Sequence, residues 1–277
     1  MAVRMIGLDL DGTVLTDQKE VTKATRRVIE RALQKGITVL PVTGRPITGI
    51  PKAVLDIPGI RYAITSNGAV LYDLQEKRTV IGHYLDCAAA RGIVEEAEEN
   101  DWLYDVFIDG FGYGSIRSHE HLMHFFEGTA LAQYIGTSRK GVGDIFSYIE
   151  SNKDRIENIW VRTNSKEEGD CLEQLIRSRS DSSRLTTLRT MPQDVETVAA
   201  NADKGRTMEE LAARLDIDRK EILAVGDSEN DLGLLSAAGI SVAMGNASEK
   251  VKALADWIAP DNAHDGAAAA IMRYAFT

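Results

Sequence analysis

Short apolar runs alternate with amphipathic stretches at both ends of this 277-residue chain, and the rhythm breaks down in the middle. Near the start, residues 3–8 read as a buried strand. Residues 22–34 show helical spacing that stops at Lys35-Gly36, a C-cap signal. A second strand is predicted over 37–42, Pro46 falls at the favoured first position of a following helix, and 60–65 reads as a third strand. Residues 70–72 and 79–81, split by a polar stretch, suggest a small hairpin leading outward. The last part alternates as cleanly: helices over 204–215, 230–237, 249–255 and 266–274, and strands over 221–225, 240–243 and 257–258. Such βα alternation implies a parallel sheet with right-handed crossovers.

The middle has a helix with an acidic face over 88–99, a strand over 102–108, an aromatic glycine loop over 111–114, a strand over 156–162 and a helix over 167–177. An α+β domain inserted between two halves of one sheet accounts for this order. The expected organisation is an α/β protein, with a parallel-sheet core from residues 1–83 and 191–277 and an α+β insert over 84–190. The length suits two medium domains, each with its own core.

The first strand ends in Asp9-Leu10-Asp11-Gly12-Thr13. Carboxylates at the C-terminal mouth of a parallel strand sit where open α/β sheets bind ligands. An i, i+2 spacing in extended chain puts both side chains on one side. Two like charges held that close call for a cation or a proton, which suggests a hard divalent metal with oxygen ligands. The pair also offers an aspartate nucleophile of the kind that forms an aspartyl-phosphate. An Asp-Gly turn after a strand is the plain alternative.

Three more segments follow in order: Thr43-Gly44-Arg45 after the second strand, Lys204-Gly205 late in the chain, and Gly226-Asp227-Ser228-Glu229-Asn230-Asp231 after a later strand. With Ser66-Asn67-Gly68-Ala69 and Asp265-Gly266, the set resembles the haloacid-dehalogenase-like phosphohydrolases, and within them the Cof-type sugar-phosphatase branch. The resemblance covers the two ends; the middle matches in length and rough pattern. It implies a Rossmann-like core with an inserted cap of the C2B type, and Mg²⁺-dependent hydrolysis of small phosphomonoesters, sugar phosphates or phosphorylated cofactors, with cap closure excluding water. Asp9 would be the nucleophile and Asp11 the general acid and base. Leu10, Thr43, Gly44, Lys204 and Asn230 would hold phosphate, and Asp9, the Asp11 carbonyl, Asp227 and Ser228 would hold Mg²⁺. Asp231 would either orient its neighbours or serve as a carboxylate at the helix start. The stretch Ala202-Asp203-Lys204-Gly205 departs from the serine- or asparagine-lysine-glycine usual in the family, so Asp203 either pairs with Lys204 or caps the helix. Arg45 either reaches phosphate or pairs with an acidic neighbour, and Asn67 either contacts substrate or forms an Asn-Gly turn. A phosphosugar mutase is the alternative inside the branch; it needs an arginine cluster in the cap, where Arg139, Arg155 and Arg162 look scattered. A non-catalytic module binding a phosphate-bearing ligand or a protein is the alternative outside it, but Asp9, Asp11, Lys204 and Asp227 are all present.

Composition narrows the partners. The chain is 44% hydrophobic and 27% charged, with a net charge of −10. That argues against nucleic acid and anionic membranes; a small phosphorylated metabolite is the partner the resemblance implies. No apolar run reaches the ~18 residues of a membrane span. Asp9 and Asp11 interrupt any signal-peptide core, and Cys87 and Cys171 lack metal or redox spacing. A reduced cytoplasm is the expected home, and the oligomeric state is open. The run His119-Glu120-His121-Leu122-Met123-His124 lacks the His-Glu-x-x-His order and reads as polar surface. Phe107, Phe111 and Tyr113 among glycines suggest either a specificity loop or an ordinary strand end and turn.

Overall fold

A computed structural model describes residues 2–129 and 132–276. By contacts the chain sorts into two compact units: residues 1–45, 50–81 and 203–277 in one, and 46–49 with 82–202 in the other.

The first unit begins with β1 (Met5–Leu8), β2 (Thr38–Pro41), β3 (Tyr62–Thr65), β4 (Val70–Asp73) and β5 (Arg78–Gly82). The chain then builds the second unit with β6 (Leu103–Ile108), β7 (Phe111–Ser115), β8 (Arg139–Val142), β9 (Ile156–Arg162), β10 (Leu185–Met191) and β11 (Asp194–Ala199). It returns to the first unit for β12 (Ile222–Gly226), β13 (Ile240–Ala243) and β14 (Trp257–Ile258). The fold is α/β: a parallel-sheet core carries an inserted α+β cap.

The core sheet has the order β14-β13-β12-β1-β2, and every pair whose register is resolved is parallel. Apolar side chains cover it as expected for a sheet buried on both faces. Met5, Leu40 and Ala224 pack with Met208, Leu211 and Leu234 in one buried cluster. β3 does not extend this sheet as a regular parallel strand. It turns back on β4 in an antiparallel three-stranded sheet with β5, and touches the strand before it by a single bridge, Val42 to Ile64. The helix expected at Pro46 is a short 3₁₀ turn, Ile47–Gly49, and a one-turn helix, Lys52–Leu55, follows. Pro51, lacking an N–H, separates the two.

The insert's six-stranded sheet has the order β10-β11-β9-β6-β7-β8. Helices Cys87–Glu99, Ile145–Ser151 and Lys166–Ser178 supply Ile93, Ile149 and Leu172 to a core with Val106, Ile159 and Val195. The chain stays in this unit longer than its sequence suggests. The return to the first unit falls at Asp203 rather than near 191, because β11 pairs with β9 from Asp194↔Arg162 to Val198↔Asn158. The stretch 111–114 is a strand and not a loop: Gly112 and Gly114 alternate in β7, leaving room for Arg139 and for helix Ile116–Phe126. That helix carries His119, His121 and His124, and none of the three joins a metal-sized group among the described residues. No helix of the described residues is long and apolar enough to cross a membrane.

Candidate active site

Register puts the two acidic segments side by side. Leu8 pairs with Val225, and the Asp9 N–H donates to the Val225 carbonyl at 3.0 Å, so Asp9 and Asp227 emerge from adjacent parallel strands at the same sheet edge. Asp231 enters from the turn after β12. Carboxylate oxygens of Asp9, Asp227 and Asp231 lie within 4.8 Å of one another.

One cation reaches into this group. Lys204 is the first residue of helix Lys204–Arg214, whose buried face (Lys204, Thr207, Met208, Leu211) follows helical spacing. Asp203 caps that helix, accepting the N–H groups of Gly205 and Arg206 at 2.9 Å, and so closes the choice its local sequence left open. Lys204 is 1% exposed; its Nζ donates to Asp9 Oδ1 at 2.8 Å and to Asp231 Oδ1 at 2.6 Å. Asp231 Oδ2 accepts the backbone N–H groups of Asp227 and Ser228, both at 3.0 Å, which fixes the loop that carries Asp227.

Three carboxylates face one ammonium, and the electrostatics show the imbalance. Burial, then Asp231 and Asp227, push the Asp9 carboxyl well above the usual range against the pull of Lys204. Burial and Asp231 raise Asp227 to about 6. Burial works against the charge on Lys204, but Asp231 and Asp9 outweigh it and hold the ammonium above its ordinary pKa. A second positive charge would relieve the aspartates. The donors are hard oxygens only, a set that suits Mg²⁺, Ca²⁺ or Mn²⁺ and not a thiophilic metal.

Asp227 is held by neutral donors: Thr13 Oγ1 at 3.1 Å and Ser228 Oγ at 3.2 Å. Gly12 lies against it with φ +83°, and a Cβ there would collide with the Asp227 carboxylate. Asp11 is placed differently. Its side chain, 40% exposed, meets Arg45 in a two-toothed pair (Nε to Oδ2 2.6 Å, Nη2 to Oδ1 2.8 Å) and accepts from Lys19 at 2.8 Å. Burial alone would raise its pKa, yet Arg45 and Lys19 bring it down to about 2. Arg45 therefore takes the acidic-neighbour reading in this structure, and the Asp11 side chain is not one of the group of three.

The expected phosphate residues ring the same edge. Thr43 is buried, and its hydroxyl accepts the Arg45 N–H at 3.1 Å. Gly44 lets the Asn67 amide approach where a Cβ would press on it. Asn67 is buried in a left-handed conformation (φ 56°), and its Oδ1 accepts from Asn230 Nδ2 at 3.0 Å. The other end of the Asn230 amide, Oδ1, is buried without a protein partner. Leu10 is fully buried, and its carbonyl accepts the Leu15 N–H at 2.9 Å and the Thr13 N–H at 3.3 Å. Sequence reasoning did not single out Lys19 or Asn246. The signal for Asn246 was its place just after β13, at the same sheet edge.

Comparison with known proteins matches this arrangement to a family. The model for haloacid dehalogenase-like hydrolases matches residues 6–271. The chain belongs to that family of enzymes. Within it the chain is of the Cof type. Phosphatase YwpJ of Bacillus subtilis is 30% identical over 96% of this chain and 98% of its own. The B. subtilis 5-amino-6-(5-phospho-D-ribitylamino)uracil phosphatase YcsE is 24% identical over 98% and 96%. The crystal structure of a haloacid dehalogenase-like hydrolase from Bacteroides thetaiotaomicron superposes with a TM-score of 0.82 at 24% identity, covering 98% of this chain and 99% of that one, which speaks to the fold.

Proposed function

We propose that this hydrolase is a phosphatase acting on small phosphomonoesters, with Mg²⁺ held by Asp9, Asp227 and the Asp11 carbonyl, and with Ser228 beside them. The observation that carries the reading is Lys204 clasped between Asp9 and Asp231 while Asp227 stands within 4.8 Å and, among the described residues, gains no cation of its own. When bound, Mg²⁺ would neutralise the carboxylates and the incoming phosphate oxygens.

An Asp9 carboxylate oxygen attacks phosphorus, and the bond from phosphorus to the leaving oxygen breaks. Asp11 gives its proton to that oxygen, so the alcohol departs neutral and Asp9 carries the phosphoryl group. Asp11 then takes a proton from water, whose oxygen attacks the same phosphorus and frees phosphate and Asp9. In this structure Asp11 is ionised by Arg45 and Lys19. It is ready for the second half of this cycle, and must turn from Arg45 and gain a proton for the first. Lys204 neutralises charge on Asp9 and the transferring group, while Thr43, the Gly44 and Leu10 backbone and Asn230 supply phosphate donors.

Relatives named as phosphatases, one acting on a ribitylaminouracil phosphate, support a small phosphorylated metabolite as substrate. The mutase alternative loses its motive: Arg139, Arg155 and Arg162 each pair with a carboxylate, Asp105 at 2.7 Å, Asp109 at 2.5 Å and Asp194 at 3.1 Å. The test is phosphate release from a panel of phosphomonoesters, with Mg²⁺ or EDTA. Mg²⁺-dependent release is expected; silence across the panel from folded, metal-loaded protein would sink the reading.

A further inference from the structure

The geometry points to Asn246 as a positioning residue that aims the Asp227 carboxylate at the cation; we propose this role on the basis of the metal-dependent reading above. Asn246 follows β13, where its loop is fastened by Met244 N–H to the Gly226 carbonyl (3.0 Å) and Gly245 N–H to the Pro260 carbonyl (3.2 Å). The amide has one possible orientation. The Asn262 backbone N–H donates to Asn246 Oδ1 at 3.1 Å, so the oxygen faces Asn262 and the NH₂ faces the other way. There Nδ2 donates to the Gly12 carbonyl at 2.9 Å and lies 3.4 Å from Asp227 Oδ2.

Those two acceptors are forced together. Gly12 has no side chain and a positive φ, and the Asp227 carboxylate occupies the space a Cβ would need. A carbonyl and a carboxylate side by side repel unless a donor stands between them, and an amide NH₂ has one hydrogen for each. The Asn262 side chain takes no part in this contact: it is buried, and its Nδ2 donates instead to the Leu15 carbonyl at 3.0 Å and to Asp17 Oδ1 at 3.1 Å. Asn246 thus ties the loop bearing Asp11 to the carboxylate of Asp227. Without its NH₂, Asp227 keeps only the hydroxyls of Thr13 and Ser228 and is free to rotate away from Gly12.

The experiment measures Mn²⁺ binding to the full chain by electron paramagnetic resonance, and separately the Mg²⁺ dependence of phosphate release. Asn246→Ala and Asn246→Leu are compared with wild type, the second variant filling the lost volume. Asn262→Ala is the control, since its backbone N–H still orients Asn246. Both Asn246 variants are expected to weaken Mn²⁺ binding and raise the half-saturating Mg²⁺ by about tenfold. Turnover at saturating Mg²⁺ and substrate KM are expected to stay within about threefold of wild type, a split that general loosening would not produce. Mn²⁺ affinity unchanged in folded Asn246 variants would overturn the assignment. An equal loss in Asn262→Ala, or failure of both Asn246 variants to fold, would make Asn246 a structural residue and overturn it too. Wild-type protein that binds no Mn²⁺ would instead remove the metal reading on which the assignment rests.

Discussion

Asp227 in the core and Asp105 in the insert are both raised to about 6, chiefly by burial, but the groups that answer them differ in kind. Asp105 has a cation to itself: Arg139 Nε lies 2.7 Å from Oδ2, the pair is 8% and 3% exposed, and the guanidinium stacks over Phe107 and Tyr134. Asp227 is met by hydroxyls and an amide, while the buried ammonium of Lys204 is bonded to Asp9 and Asp231. A balanced pair holds its unit together and asks for nothing more. An unbalanced group keeps a deficit of positive charge that a ligand can fill, and such deficits gather where chemistry is done.

The comparison breaks first if the unbalanced group is not catalytic. Asp9→Asn preserves shape and removes the nucleophile. Phosphate release is expected to fall by about a thousandfold or more, with far-ultraviolet circular dichroism unchanged. Activity near wild type would remove Asp9 from the mechanism. Lys204→Met comes next. It leaves Asp9 and Asp231 buried without their shared cation, so in EDTA at pH 7 denaturant unfolding should show a loss of about 3–5 kcal/mol. Part of that loss should return with Mg²⁺, while turnover stays low. A variant as stable as wild type without metal would mean that the aspartates are not under strain.

The sequence made the unbalanced group legible and left the balanced one hidden. Asp9, Asp227 and Lys204 each stand at a strand end or helix start that periodicity locates, and parallel neighbours bring strand ends to one edge. Arg139 and Asp105 meet because β8, β7 and β6 lie side by side, and the sequence of β7 reads equally as a glycine loop or as a strand end and turn. Glycines at every second position look like a turn in one dimension. In the sheet they are the gaps into which Arg139 and helix Ile116–Phe126 settle. β10 and β11 escaped notice because threonines, arginine and glutamate interrupt their apolar pattern. Asn246 has only its place after β13 to mark it, because its partner Gly12 lies 234 residues away and neither residue carries charge.

The metal should erase one half of the comparison and spare the other. In EDTA, Asp227 near 6 in the folded state is above the ~3.9 of an unfolded aspartate. Folding then takes up protons between these values, so this contribution to stability is present at low pH and lost as pH rises through about 6. Thermal unfolding in EDTA should therefore show Tm falling across that window. Mg²⁺ competes with the proton, so the Tm gain on adding it should be larger at pH 8 than at pH 5. An equal gain at both would mean that the cation does not bind the titrating carboxylates.

The smallest effect is expected from dismantling the balanced pair as a whole. The double variant Asp105→Asn, Arg139→Met removes both charges, keeps similar volumes, and leaves a thioether to pack on Phe107 and Tyr134. Breaking a buried pair by one partner is costly, but replacing both with neutral groups of similar size is often close to neutral. Stability at pH 7 should stay within about 2 kcal/mol of wild type, and the Mg²⁺ dependence of phosphate release should not move, because neither residue touches the acidic group. Arg139→Met alone should destabilise more, since it leaves the Asp105 carboxylate buried without its cation. That excess should shrink toward pH 5, where a carboxyl with a pKa of at least about 6 takes up a proton. If the double variant shifted the Mg²⁺ requirement, the two aspartates would belong to one electrostatic system. The contrast between a structural pair and a functional deficit would then fail.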